Sequence, residues 1–509
     1  MLSIPRFGRL ACTAIIAAGI AALSSSAIVT VAHAQPATFA APSIPRDEYA
    51  TRRAAVLSRI DSGVVLVAGA RDPVVHWPPF YQLPAFRYLT GYLLPDATLV
   101  MIKRAGTTRG VLFVPPTNLR TALYDGRVTD PPTLSRETGL DVRYLAQLEA
   151  LLDSLGATPL PWLPVTDAQA NEFTARDSLT FLRTLVRRRQ MQHPGLAVRD
   201  GTPLVDWHRA KKSPAEEAVL RRAVAVSDSG HVAAMKAIRP GLTEYQVQAE
   251  MEYAFRRLGG DRPGYASIVG TGSNSTLLHY DAGERVLKAG EVILMDVAVQ
   301  LEGYSADVTR TVPVTGRYTP EQRAVYEIVL ASQKAFERQI RPGTPSAVPN
   351  DSARRVLIAG MLRLGLIQAT DATFDAPDGL CPVRPWIRKE GEPCPQWYLF
   401  SYHGYSHGIG LDVHDPSQFS DRPARTYEEG DVFTIEPGLY VRRDALQHLP
   451  DTPRNRAFIA AARAAVAKYA DTGVRIEDDY RVTPSGIERL SQAPREIRDI
   501  EALMRRTQP

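Results

Sequence analysis

Five side chains in the C-terminal half of this 509-residue sequence have the types and spacing of metal ligands. Asp296 and Asp307 stand eleven residues apart in two β-rich runs, 292–300 and 304–312, with Gly303 marking the turn between them. A hairpin of that length sets the two carboxylates side by side. An aspartate inside an apolar strand is costly unless paired or coordinated, and two in one hairpin ask for a cation between them. Residues 403–414 hold three histidines, His403, His407 and His414, interleaved with glycines that allow close backbone approach. Residues 432–438 read as a strand ending in Glu436 at a Pro-Gly turn. In 474–479, Arg475 and Glu477 share one face of a strand by the period of two. Each feature alone has an ordinary structural explanation: a turn aspartate, a solvated glutamate, a hydrogen-bonded histidine. Together they give the carboxylates and single imidazole of a dinuclear site. Carboxylate-rich ligation favours Mn²⁺, with Co²⁺ or Zn²⁺ as alternatives. No cysteine pair has the spacing of a closed zinc site.

The elements that must position these groups show a weak internal repeat. Ile238-Arg239-Pro240-Gly241 recurs as Ile340-Arg341-Pro342-Gly343, each after a long helical pattern. Those helices open with Ser213-Pro214-Ala215-Glu216 and Thr319-Pro320-Glu321-Gln322, capping boxes with proline at the first helical position. After the first repeat, Thr243 and Gln246 have capping-box form again. Strand-like segments follow each helix pair, so the pattern is a duplicated helix–helix–strands unit.

Upstream, residues 51–205 carry strand-like runs at 64–68, 98–103 and 110–114, with helical stretches at 145–155 and 177–189. This reads as a small α/β domain without a chemical cluster, ending in a Pro- and Gly-rich linker at 193–203. Residues 35–50 read as a Pro- and Ala-rich tail. Residues 1–34 have the form of a secretory signal: Arg6 and Arg9, an apolar run from Leu10 to about Val31, and Ala32-His33-Ala34 as a cleavage site. A retained membrane anchor is the competing explanation. Cleavage after Ala34 removes two arginines and no acids, which leaves 58 basic and 55 acidic residues, net +3. It also removes Cys12, so Cys381 and Cys394 remain as a disulfide or as two thiols; export favours the disulfide. The whole chain has 44% hydrophobic and 23% charged residues and net charge +5. That composition excludes a disordered or polytopic membrane chain, and no basic block points to nucleic acid.

The sequence resembles the metallopeptidase family with the pita-bread fold, which includes methionine aminopeptidase, aminopeptidase P and prolidase. The resemblance is strongest from Lys211 to about Ser491. Upstream, Phe86-Arg87-Tyr88-Leu89-Thr90-Gly91-Tyr92 resembles the N-terminal domain of aminopeptidase P and prolidase. The implied architecture is α+β: residues 1–34 as signal peptide, an α/β domain at 35–205, and a duplicated pita-bread catalytic domain at 206–509. The family pattern of metal ligands implies Asp296, Asp307, His407, Glu436 and Glu477. Asp307 and Glu477 are then the bridging carboxylates, Asp296 completes one ion's shell, and His407 with Glu436 completes the other's. The resemblance further implies His279, His403 and His414 on the substrate side, and Arg475 in the R-I-E-D segment as a substrate-binding group.

The expected chemistry is hydrolysis by a hydroxide shared between two cations. Glu436 is the proton shuttle, His414 supports the developing oxyanion, and His279 with His403 shapes the proline side. Within the family the expected activity is that of an Xaa-Pro aminopeptidase, exported to the periplasm or secreted and acting on peptides with proline at the second position. Prolidase is the alternative, since residues 456–469 form a helical insertion before Glu477. Arg422 is then the candidate clamp for a proline carboxylate, with Arg425 nearby. A metal-free binding module on the same fold is the rival from another class. Family membership also implies a homodimer or homotetramer, without stable membrane insertion. The 370–400 loop, with the possible disulfide inside it, is a candidate gate to the cleft.

Overall fold

Two antiparallel hairpins, buried along nearly all of their strands, place the chemistry-bearing residues. The computed structural model describes residues 43–72, 80–126, 129–166, 173–416 and 425–505. The expected signal segment and Arg422 lie outside the described residues. Among those described, no helix is long and apolar enough to cross a membrane.

The N-terminal sheet contains β1 (Gly63–Ala68), β2 (Thr98–Arg104), β3 (Thr107–Val114), β4 (Asp141–Tyr144) and β5 (Trp162–Val165), in the order β4-β3-β2-β1-β5. β1 is an unbroken apolar run because both faces are covered. Val64 and Leu66 pack with Leu148, Leu152 and Leu185, while Val65 and Val67 join the large core that continues into the C-terminal half.

Two readings of this half need correction. Residues 43–50 are not a tail. Ile44 is buried, the Ser43 amide and hydroxyl both donate to Glu302, and helix Arg46–Ser58 begins at once. The partner carboxylate is 259 residues away, so local composition carries no sign of it. Nor is 193–203 a free linker. Trp162 N donates to Ala197 O at 2.8 Å and Arg199 N to Trp162 O at 2.9 Å, which lays the segment along the edge of β5. Helix Thr202–Arg209 then leads into the C-terminal half.

Helices Pro214–Ala237 and Glu244–Arg257 form the first pair, and Pro320–Glu337 and Ala347–Leu364 the second. The capping boxes at Ser213, Thr243 and Thr319 are all present; Ser346, before the fourth helix, makes no side-chain cap. The Arg-Pro-Gly turns serve the same purpose twice. Gly241 and Gly343 have φ of +95° and +88°, where a side chain is strained. Their amides donate to Leu287 O and Tyr427 O, and two residues further on Thr243 and Pro345 bridge Val286 and Thr426.

Each half then supplies one hairpin. The first half adds β6 (Arg262–Pro263) and β7 (Ile268–Thr271) as flanking strands to β8 (Val292–Asp296), β9 (Val299–Leu301), β10 (Tyr304–Ser305) and β11 (Thr309–Pro313). Asp296 lies opposite Thr309 and Leu301 opposite Tyr304. These pairs belong to one register, interrupted at 297–298 and 306–308. Asp307, two residues before Thr309, therefore sits diagonally across from Asp296 on the same face.

A short ribbon of β12 (Thr373–Phe374) and β13 (Cys394–Pro395) precedes the second hairpin, and Cys381 and Cys394 are joined as a disulfide. The second hairpin is built from β14 (Val432–Ile435), β15 (Gly438–Val441), β16 (Thr472–Arg475) and β17 (Asp478–Thr483), with β18 (Gly486–Arg489) outside it. Ile435 faces Asp478 and Gly438 faces Arg475, so this register too is continuous and interrupted. Glu436 and Glu477 face each other in the gap. Helix Pro453–Lys468 is the insertion expected at 456–469.

Candidate active site

The two interrupted hairpins meet along β11. Thr309 N and O bond to Glu477 O and N at 3.4 and 3.1 Å, and its hydroxyl donates to Glu477 Oε2 at 2.7 Å. The Asp307 amide donates to Asp479 Oδ2 at 3.1 Å. Pairing of one hairpin with the other brings all four carboxylates to one cavity of about 1190 Å³, which His279, His403, His407, His414 and Arg475 also line. Every expected site residue that is described therefore reaches the same space.

One ligand atom each from Asp307, His407 and Glu477 lie within 4.8 Å of one another. His407 Nε2 is 3.4 Å from Asp307 Oδ2, 3.4 Å from Glu436 Oε1 and 3.8 Å from Glu477 Oε1. The Nδ1 of His407 faces Gly408 O at 3.1 Å, which places the ring proton there and leaves Nε2 bare toward the carboxylates. Glu477 Oε1 is buried without a hydrogen-bond partner. A bare nitrogen and an orphaned carboxylate oxygen facing one gap, among further carboxylates, are a donor set that fits divalent cations.

The electrostatics agree. Burial, then the charges of Glu477 and Asp296, holds the Asp307 carboxyl well above its ordinary range. Burial, then Glu477, does the same to Glu436. Burial, then Asp296, pushes Glu477 up to about 8. Burial and the neighbouring His414 push His407 down to about 3. An acidic cluster that resists ionisation beside an imidazole that resists protonation lacks positive charge, which cations supply.

The remaining groups divide into two sets. His403 Nδ1 donates to Gly404 O at 2.6 Å and lies 3.4 Å from Glu436 Oε2. Its Nε2 accepts from the Tyr440 hydroxyl at 2.8 Å. A Cβ on Gly438 would come within 2.3 Å of that hydroxyl and 2.8 Å of His403 Nε2, so only glycine leaves this contact intact. The His414 ring meets that of His407 edge-on, with centroids 4.4 Å apart. Arg475, expected as a substrate-binding group, lines the cavity and is also tied to the protein around it. Its guanidinium donates to Asp296 Oδ2, to Tyr440 Oη at 3.1 Å and to Thr309 Oγ1 at 3.3 Å. Arg425 lines the cavity and lies over the Trp207 ring, its guanidinium carbon 5.3 Å from the centroid.

Three groups of functional residues were missed by sequence reasoning. The Tyr265 hydroxyl lies 2.6 Å from Oδ1 of both Asp296 and Asp307 and shares its one proton between them. Arg209 and Lys212 bind Asp415 at 2.6 and 2.8 Å, and Arg209 also reaches Asp412 at 2.6 Å. This buried cluster fixes the ends of the segment that carries His414. His231 and Gln333, on the first helix of each pair, reach into the hairpin gaps. No local signal marks Tyr265. The other two groups are polar positions on otherwise apolar helix or turn faces, a signal that could have been followed.

A duplicated fold with two broken hairpins around a carboxylate–imidazole cluster defines a metal-dependent hydrolase. Residues 218–484 match the model of metallopeptidase family M24, and residues 49–159 match that of the aminopeptidase P N-terminal domain. The chain is 32% identical over 477 residues to the Xaa-Pro aminopeptidase of Escherichia coli (strain K12), an alignment covering 91% of this chain and 98% of that protein. It is 28% identical over 419 residues to the Xaa-Pro dipeptidase of Homo sapiens, covering 78% and 79%. The solved structure of E. coli aminopeptidase P with the inhibitor Pro-Leu has a TM-score of 0.74 at 29% identity, covering 91% of this chain and 99% of that one. The chain belongs to metallopeptidase family M24, on its aminopeptidase P branch.

Proposed function

We propose that this chain is an exported Xaa-Pro aminopeptidase that works with two divalent cations, Mn²⁺ first among them. The observation that carries the reading is the convergence of Asp296, Asp307, His407, Glu436 and Glu477 on one cavity, with Glu477 Oε1 and His407 Nε2 bare. The E. coli Xaa-Pro aminopeptidase aligned over almost its whole length supports the specificity.

Asp296, Asp307, His407, Glu436 and Glu477 would hold the two ions. Cations bound there lower the pKa of a water and polarise a carbonyl. The protein residues do the rest. Glu436, whose side chain is 15% exposed, receives a proton and returns it to the leaving proline nitrogen. His414 supports charge on the carbonyl oxygen. His403, fixed by Tyr440 and Gly404, and His279 shape the proline side. An Xaa-Pro bond is a tertiary amide with no N–H and a fixed ring, so recognition rests on shape and on the carbonyl. Arg475 is assigned to holding Asp296 and Tyr440. Division of the chain at 1–34, 35–205 and 206–509, and assembly as a homodimer or homotetramer, belong to the same proposal.

The test is hydrolysis by residues 35–509 with Mn²⁺, comparing an Xaa-Pro dipeptide with an Xaa-Pro-Yaa tripeptide. Release of the first residue from the tripeptide supports the reading. Cleavage confined to the dipeptide replaces it with a dipeptidase, and cleavage of neither refutes it. Export is tested by expressing the full chain and sequencing the N-terminus of the exported form, which should begin at Gln35.

A further inference from the structure

Each half of the molecule drives one buried helix side chain into the break of its hairpin. In the first half it is His231, whose Nε2 lies 3.0 Å from both Val297 O and Val308 O. These carbonyls follow Asp296 and Asp307 by one residue each. In the second half it is Gln333, whose Nε2 lies 3.1 Å from Ile435 O and 3.2 Å from Ile476 O. These precede Glu436 and Glu477 by one residue each. Both side chains are fully buried. Each stands eight residues before the arginine of its Arg-Pro-Gly turn, Arg239 or Arg341, so they occupy one position of the internal repeat.

The same position thus carries two chemically different residues that share one capability, an N–H donor presented to two carbonyl oxygens. An amide has two such protons, and Gln333 uses the site fully, reaching Asp478 Oδ2 at 3.0 Å as well. The neutral imidazole has one proton on Nε2, shared between two acceptors. The Nδ1 of His231 is buried without a partner. A leucine would fill either space without that unpaired nitrogen, so packing does not explain a polar group here. What a donor adds is a tether on both arms of the hairpin at the break, where the cross-strand bonds are long, Val297 N to Val308 O at 3.3 Å and Ile476 N to Pro437 O at 3.5 Å.

We propose that His231 and Gln333 are equivalent positioning residues, each acting as a donor wedge that fixes the two carboxylates of its own hairpin for metal binding. This rests on the peptidase reading only for its kinetic readout; the metal readout stands apart from it. Groups behind metal ligands typically change affinity or activity about 10- to 100-fold when removed.

The experiment titrates Mn²⁺ into metal-stripped protein by calorimetry for the wild type, H231L, H231Q, Q333M and Q333H, and measures melting with and without Mn²⁺. H231L and Q333M should weaken Mn²⁺ binding about 10-fold or more and shrink the Mn²⁺-induced rise in Tm. H231Q and Q333H keep a donor and should stay within about threefold of wild type. A merely structural role lowers both melting temperatures together and leaves the Mn²⁺ increment unchanged. That result, or loss of affinity in H231Q equal to that in H231L, overturns the proposal. If H231L does not fold, the pair Q333M and Q333H decides on the same criteria. With Xaa-Pro-Yaa as substrate, the wedge variants should lower kcat more than they raise KM. Failure of every protein to cleave that peptide refutes the function proposed above and leaves the metal result standing.

Discussion

The two broken hairpins are alike in register and unlike in how their carboxylates are held. In the first, Asp296 accepts from Arg475 and Tyr265, and Asp307 shares Tyr265 and receives the charge field of its neighbours. In the second, among the described residues, the Glu436 carboxylate has two imidazoles at 3.4 Å, and Glu477 has a Thr309 hydrogen bond on one oxygen and on the other none, with His407 Nε2 3.8 Å away. One hairpin is a fixed cradle and the other keeps its oxygens available. Duplication supplied a symmetric frame, and hydrogen bonds from Tyr265 and Arg475 made it asymmetric. In the function proposed above, that availability is what would let Glu436 exchange a proton.

The largest effect should come from the loosely held side. Glu436→Gln keeps shape and removes the base, and kcat should fall about 10²- to 10⁴-fold. A fall of less than tenfold would break the assignment of proton transfer to this hairpin.

Next in size is Arg475→Met, which takes the cation from Asp296 at the junction of both hairpins. Breaking a buried pair by removing one partner costs about 3–5 kcal/mol, read as a lower urea midpoint at constant m. An unchanged midpoint would mean that the first cradle does not depend on Arg475.

Metal removal gives the third test through pH. The folded pKa of Glu477 is about 8 against an ordinary value of 4.5, and those of Asp307 and Glu436 are also raised. The folded metal-free state binds more protons than the unfolded state between those limits. Its stability is therefore full below about pH 4.5 for this group and declines as pH rises toward 8 and beyond. Added Mn²⁺ should flatten the decline, since the cations replace those protons. Metal-free protein whose Tm does not fall from pH 5 to 9 would contradict the electrostatic account.

The smallest effect is expected for Tyr265→Phe, which removes one shared proton from the fixed cradle. Mn²⁺ affinity should fall about tenfold, in line with the low end, about 1.5 kcal/mol, for one lost hydrogen bond to charged groups. A loss as large as that of Glu436→Gln would erase the distinction between the hairpins.

Legibility followed the distance over which a signal acts. Capping boxes at Ser213, Thr243 and Thr319 are three-residue patterns and were readable. The pair Asp296 and Asp307 was readable because hairpin register is local. The meeting of Thr309 with Glu477, and of Arg475 with Asp296, spans more than 160 residues and leaves no local trace. For the same reason Ser43 and Ile44 were placed in a tail. The duplication was legible from four letters at 238–241 and 340–343. Its consequence at His231 and Gln333 was hidden because the two residues differ in type while sharing a donor.

The central claim is that two hairpins build one centre for two cations. Metal-stripped protein should be dialysed against Mn²⁺ and its metal content measured per chain, for the wild type and for Glu477→Ala, which removes the oxygen left bare between the hairpins. The account predicts two ions per chain in the wild type and one or fewer in the variant. A single ion in the wild type, or two in both proteins, would contradict it.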